Sequence, residues 1–359
     1  MRASLDRMTG INSQASDHPS GPIASNFERR IREVEALSLS PLATPSYPAD
    51  RERPESPCGL RTPFQRDRDR IVHSKAFRRL KHKTQVFVAP LGDHYRTRLT
   101  HTIEVTQISR TVARALSLNE DLTEAIGLGH DLGHPPFGHI GEDVLDRCLQ
   151  KRWDREFRHY NHSLRIVESI EREGQGLNLT ATVRDGIAHH SGRSDIPQTL
   201  EGRIVRLVDR VAYLNHDIDD AVRAGVIDPA DLPAGPIEVL GDTGAERIDT
   251  LIHDLVERSA VEDNIVQGDE VAEAMDQLRT FMFDRVYLGP EARREHSRIE
   301  SVITTLFDYY ADDLTRVPSG GSPDGAEPAE LVMDWIAGMT DRYCIRTFED
   351  IAVPAAFAP

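Results

Sequence analysis

The chain is short of cysteine, of net positive charge and of long apolar runs, and each shortage removes a class of protein. Its three cysteines, Cys58, Cys148 and Cys344, are odd in number and lack metal-ligand spacing, so a reducing compartment fits better than a disulfide scaffold. Against 59 Asp and Glu there are only 43 Lys and Arg, a net of -16 with histidine neutral, which disfavours wholesale binding to nucleic acid or anionic membranes. No apolar run approaches the roughly 20 residues of a membrane span. The opening MRASLDRMTGINSQ has no signal-peptide stretch. A phosphate loop of the G-x-x-x-x-G-K type and internal repeats are also missing. These absences predict a cytoplasmic protein without membrane contact, and 359 residues leave room for one large or two modest domains.

What is present is helical periodicity. Residues 1–56, rich in Ser, Pro, Ala and charge, predict a mostly disordered tail in which only FERRIREVEAL reads as helix. From Arg61 to Lys83 nine Lys or Arg interleave with Ile71, Val72, Phe77 and Leu80, a basic helical segment that is either a solvated face or an anion site. VFVAPLGDHYRTR predicts a short β-hairpin near 86–96. In LTHTIEVTQISRTVARAL apolar residues recur at helical spacing with His101 on the inward stripe. Asn119 suits the N-cap of NEDLTEAIGLGHD, a helix expected to end near Gly133 because Pro135 and Pro136 follow. A short helix from Gly141, then NLTATVRDGIAHH and LEGRIVRLVDRVAYLNHDIDDAVRAG, complete a core over 57–225. A C-terminal helical region over 226–359, suited to oligomer contacts, ends in one last helix, AELVMDWIAGMTDRYC. The fold class predicted is all-α.

HDLGHPPFGH, residues 130–139, concentrates three histidines and an aspartate around a Pro-Pro break. Buried imidazoles and carboxylates are costly unless paired or bound to a cation. Four candidates lie on three predicted helices: His101, the adjacent His130 and Asp131, and Asp209. Two imidazoles with two carboxylates suit Mn, Fe, Zn or Mg and leave positions open for water. Asp209, Tyr213 and Asp217 follow at i, i+4 and i+8 along one edge of their helix.

The set H…HD…D resembles the signature of HD-domain metal-dependent phosphohydrolases. HYRTRLTHTIEV, HDLGHPPFGHIGE, GLNLTATVRDGI and EGRIVRLVDRVAYLNHDIDDAVRAG are similar to the deoxyguanosine triphosphate triphosphohydrolase-like branch, from about Pro57 to Gly225. The resemblance implies hydrolysis of a deoxynucleoside triphosphate (dNTP) to deoxynucleoside and inorganic triphosphate, with a divalent metal. It implies His139 as the catalytic histidine, Glu142 as the carboxylate orienting it, His134 as a phosphate contact and His159 as a further active-site histidine. The family reads H-N-x-Q-S-L-R where this chain has HYNHSLR, so His159 and His162 can exchange roles. Arg98 and Arg210 resemble phosphate-binding cations. Gln85 and Asp217 resemble ligands of the sugar 3′-hydroxyl, and Tyr213 the ring against C2′. Homo-oligomers, often hexamers, with an activating dNTP near subunit contacts are also implied. Two rivals stand beside this reading. One is an HD phosphomonoesterase or phosphodiesterase; the other is a non-catalytic nucleotide sensor or single-stranded nucleic acid binder using the basic segment.

Overall fold

A computed structural model describes residues 21–85, 96–192, 194–287 and 289–354. Among them the fold is all-α, with two isolated β-bridges and no sheet. No helix among them is long and apolar enough to cross a membrane. The longer helices are numbered α1 (Phe27–Ser38), α2 (Pro63–Val72), α3 (Arg98–Ala115), α4 (Glu120–Gly129), α5 (Gly138–Trp153), α6 (His159–Arg165), α7 (Ala181–Ala188), α8 (Leu200–Arg223), α9 (Gly244–Glu262), α10 (Asp269–Met282), α11 (Pro290–Asp312), α12 (Pro328–Ala337) and α13 (Asp341–Ala352). Local chemistry sets their starts. Thr62 and Thr97 close capping boxes at α2 and α3, and Asn119 accepts from Leu122 N at 3.2 Å to begin α4.

Three apolar cores converge on one region. The first gathers Ile71, Leu80, Val105, Ile126, Val183, Ile204 and Val208. The second joins α5 to the C-terminal helices through Leu145, Leu149, Phe307, Val332 and Ile336. The third packs the far half of α8, with Leu214 and Ile218, on Leu251, Met275 and Leu278. Helix α8 therefore crosses from the first core into the third, and Asp209 sits at the crossing.

Several expectations are corrected. Helix α4 stops at Gly129 rather than near Gly133, and His130 is its C-cap. The following turn packs closely on α6, which requires a glycine there: a Cβ on Gly133 would lie 2.2 Å from Ser163 N. Helix α5 is not short and starts three residues before Gly141, because Phe137 (φ 64) and Gly138 (φ 60) turn the chain left-handed just after the prolines. The last helix is two helices, parted after Ala337 and restarted where Thr340 caps α13.

The described part of 1–56 is not a free tail. It is held by polar anchors that composition does not reveal: Ser46 N donates to Glu35 at 3.0 Å, Thr44 N and Oγ1 donate to buried Glu201 at 2.9 Å each, and Arg51 pairs with buried Asp67 at 2.6 Å. The hairpin expected near 86–96 lies, apart from Arg96, outside the described residues; Thr84 and Thr97, which flank it, form an antiparallel bridge. Much of the basic segment is engaged within the protein. Arg61, Arg66, Arg68 and Arg70 pair with Asp69, Glu55 and Glu124, and Lys83 is buried.

Candidate active site

Three helix positions bring five of the named side chains together. Arg98 and His101 are a turn apart at the start of α3, each 1 % exposed. His130 and Asp131 follow the end of α4, and Asp209 comes from the middle of α8. His101 Nε2 is 3.0 Å from Asp209 Oδ1 and 3.9 Å from Asp131 Oδ2, while His130 Nε2 is 3.6 Å from Asp131 Oδ1 and 3.7 Å from Asp209 Oδ1. His101, His130 and Asp131 can offer ligand atoms within 4.8 Å of one another.

Tautomer logic tests whether a cation fits. His130 Nδ1 lies 2.6 Å from the carbonyl of Gly127, which can only accept, so Nδ1 carries a proton and the neutral ring leaves Nε2 with a lone pair. That nitrogen is wholly buried, faces the carboxylates and has no hydrogen-bond partner. An orphan acceptor in such a place is costly. A divalent ion resolves it, and the Gly127 carbonyl then fixes the ring as outer partners of metal histidines do.

Electrostatics agree with a charged cluster. Burial opposes ionisation of Asp131, yet the Arg98 guanidinium 2.8 Å away helps hold its carboxyl well below the usual range. Asp209, whose side chain is 21 % exposed, is likewise pulled down to about 2, chiefly by its contact with His101 against the cost of burial. The same contact with Asp209 raises His101 despite its burial.

Beside this cluster stands a second group, His134, His139, Glu142 and His159. Glu142 projects from the first turns of α5 and is held far below the usual carboxylate range by His159 and His139, against burial. Its oxygens lie 2.9 Å from His159 Nδ1 and 3.3 Å from His139 Nδ1, and it also accepts from His159 N at 3.0 Å. The His139 side chain is 72 % exposed, so its far nitrogen is open to a ligand. His134 stacks on His159 with ring centroids 3.9 Å apart and places Nε2 3.3 Å from Asp131. Burial, Arg98 and His159 depress His134 well below its ordinary value, so it is neutral.

His159 and His162 part company. His162 faces away from this group, with Nδ1 3.0 Å from the Gly133 carbonyl and Nε2 3.3 Å from Asp334. His159 Nε2 instead meets His190 Nε2 at 3.2 Å. His190 Nδ1 donates to the Ile187 carbonyl at 2.8 Å, and burial lowers His190 to about 3, so its Nε2 accepts. His159 thus bridges Glu142 and His190 through its two ring nitrogens.

Most of the remaining named residues are buried with polar atoms that have no partner or a single one. Arg98 donates to Asp131 at 2.8 Å, while its buried Nε and second terminal nitrogen have no partner. A Cβ on Gly138 would come within 3.0 Å of that free nitrogen and 3.2 Å of the Gln85 carbonyl, which explains the glycine there. Gln85 Oε1 is also buried without a partner. Asp217 accepts from the Tyr287 hydroxyl, keeps Oδ1 unpartnered, and is pushed up to about 7 by burial. Tyr213 accepts from Arg279 Nε at 3.0 Å. Arg210 is directed elsewhere, to Asp276 of α10 at 2.9 Å.

His190, Arg279, Tyr287 and Asp341 were not singled out by sequence pattern. Arg279, Phe283 and Tyr287 recur at i, i+4 and i+8 in RTFMFDRVY, a stripe that could have drawn attention, and Arg279 lies over the Phe283 ring at 5.1 Å. His190 ends the GIAHH run.

Comparison with known proteins follows the same lines. The HD domain family model matches residues 98–214, which span the four cluster residues, and the phosphohydrolase-associated domain model matches 265–350. A deoxyguanosinetriphosphate triphosphohydrolase-like protein of Caldanaerobacter subterraneus subsp. tengcongensis is 51 % identical over 328 residues, covering 90 % of this chain and 95 % of the relative. Proteins of the same name from Desulfatibacillum aliphaticivorans and Clostridium perfringens are each 47 % identical, covering 92 % and 91 % of this chain and 98 % of each relative.

Proposed function

This chain belongs to the deoxyguanosinetriphosphate triphosphohydrolase-like family of HD-domain proteins, and from that membership we propose that it hydrolyses deoxynucleoside triphosphates, dGTP among them, to deoxynucleoside and inorganic triphosphate, so controlling the dNTP pool. The observation that carries the reading is the junction of two devices: a cation cluster with an orphaned His130 Nε2, and a histidine held open to solvent by a buried, ionised Glu142. His101, His130, Asp131 and Asp209 would hold the divalent metal. When bound, the metal supplies Lewis-acid polarisation of a phosphate oxygen and a water of lowered pKa.

The protein's own residues do the rest. Glu142 accepts from His139 Nδ1, so the ring presents its Nε2 outward as a proton donor to the 5′-oxygen. Attack of water at the α-phosphorus breaks its bond to that oxygen, a poor leaving group as an alkoxide, and the His139 proton ends on the nucleoside. His159, hydrogen bonded on both sides, keeps Glu142 from turning away. Neutral His134 and the unpartnered nitrogens of Arg98 receive the phosphates. Gln85 and Asp217 take the 3′-hydroxyl, and Tyr213 closes the space under C2′. Arg279 adds a cation on that side, in the place Arg210 leaves by pairing with Asp276. A homo-oligomer, with an activating dNTP between subunits, belongs to the same proposal.

The test is product identity. Metal-loaded protein incubated with each dNTP, singly and mixed, should release inorganic triphosphate, and activity confined to mixtures would reveal activation. Orthophosphate from a nucleoside monophosphate would favour the phosphomonoesterase rival instead.

A further inference from the structure

The start of α13 reaches back into the core of the molecule through one side chain. Asp341, the first residue of that helix, is 2 % exposed. Its Oδ1 accepts from Phe137 N at 3.0 Å, and its Oδ2 accepts from Thr84 N at 2.8 Å and from the Thr84 hydroxyl. These two partners belong to two segments that flank the candidate active site and meet beside it: a Cβ on Gly138 would lie 3.2 Å from the Gln85 carbonyl and 3.7 Å from that of Thr84. Phe137 caps α5, two residues before His139 and five before Glu142, and holds left-handed backbone (φ 64, ψ 24) that a bulky residue adopts only under constraint. Thr84 immediately precedes Gln85 and forms the bridge to Thr97 that opens α3 before Arg98 and His101.

A neighbouring contact strengthens the same junction. Lys83, fully buried, donates from Nζ to the Ala337 carbonyl at 2.8 Å and to the His134 carbonyl. The break between α12 and α13 therefore grips the chain before Gln85 and the chain around the Pro135–Pro136 turn together. Both flanks lie far away in sequence, 257 and 204 residues from Asp341.

We propose that Asp341 is a positioning residue: by holding Phe137 with one oxygen and Thr84 with the other, it sets the spacing between the His139 turn and the Gln85 segment. The inference rests on the hydrolase reading above, in which those two segments supply the proton and the sugar contact. It assigns the C-terminal helices a part in catalysis without contact to substrate. A carboxylate suits the task because it accepts from three donors at once. A carboxamide has one accepting oxygen and turns its own N–H groups toward the remaining donors.

The experiment compares full-length, metal-loaded wild type, Asp341→Asn and Thr84→Ala in steady-state hydrolysis of dGTP, with metal content measured for each. Asp341→Asn is expected to lower kcat about 10–100-fold and raise KM, with metal content unchanged. Thr84→Ala, which removes one donor on the Gln85 side, should raise KM several-fold while kcat stays within about twofold. Wild-type kcat and KM in a folded, metal-loaded Asp341→Asn would overturn the inference. If Asp341→Asn does not fold, Thr84→Ala decides: an unchanged KM overturns the inference and a raised one sustains it. Failure of the wild type to release triphosphate would instead overturn the hydrolase reading. Active wild type with indifferent variants overturns only the role of Asp341.

Discussion

His101 Nε2 and Asp209 Oδ1 stand 3.0 Å apart although 108 residues separate them in sequence. The contact joins α3 to α8 where the first and third cores meet, and it sits beside the orphaned nitrogen of His130. Each packing surface delivers one side of the cluster, so fold and metal affinity are coupled.

That coupling predicts a thermal signature. Divalent metal at about 100 times its dissociation constant should stabilise the protein by about 2.7 kcal/mol. This amounts to a rise in Tm of roughly 4 °C over chelated protein. Asp131→Ala should lose the bound metal, the Tm response and hydrolysis together. Equal metal content and an unaltered response in that variant would remove Asp131 from the ligand set.

His139→Asn separates chemistry from binding. With its side chain largely exposed and its orientation set by Glu142, removal of the imidazole should reduce kcat by on the order of 10²–10⁴-fold. KM should change little. A collapse in affinity with normal turnover at saturation would make His139 a binding residue.

Asp217 predicts a pH dependence of stability. Its folded value is raised to about 7 by burial, above its ordinary 3.8. The folded state therefore holds the extra proton between these values, and stability is lost as pH rises through 7. Asp217→Asn keeps an acceptor for Tyr287 and cannot ionise. It should stabilise the protein at pH 8, by at most roughly 4 kcal/mol if the whole shift is relieved, and the gain should disappear below about pH 4. Denaturant melts at pH 4, 6 and 8 measure this; a gain that does not depend on pH would contradict it.

Sugar choice is tested at Tyr213. Its ring is fixed by Arg279 at 3.0 Å from the hydroxyl, one turn from Asp209 and one from Asp217. Tyr213→Ala should raise the ratio of GTP to dGTP turnover, as kcat/KM, by about tenfold. An unchanged ratio in a folded, metal-loaded variant would take Tyr213 out of the sugar site.

The sequence made the local parts of this site legible and left the distant ones hidden. His101 is readable because it sits on an apolar stripe, and Asp209, Tyr213 and Asp217 because they share a helical register. The adjacent His130 and Asp131 announce themselves by contiguity and by the prolines after them. Asp341 carries no such signal: it lies in a run that reads as one uninterrupted helix, and its partners are fixed by tertiary packing alone. The same holds for Glu201, whose anchoring of Thr44 turns an apparent tail into packed chain. Arg210 shows the converse. Its place beside Asp209 looks ideal in sequence, yet the neighbouring α10 supplies Asp276 and claims the guanidinium.

The account turns on which bond breaks. Hydrolysis of dGTP in water enriched in oxygen-18, followed by mass spectrometry of both products, reads this directly. Attack at the α-phosphorus predicts one heavy oxygen in inorganic triphosphate and none in deoxyguanosine. Label in orthophosphate or pyrophosphate, or in the 5′-hydroxyl of the nucleoside, would contradict it.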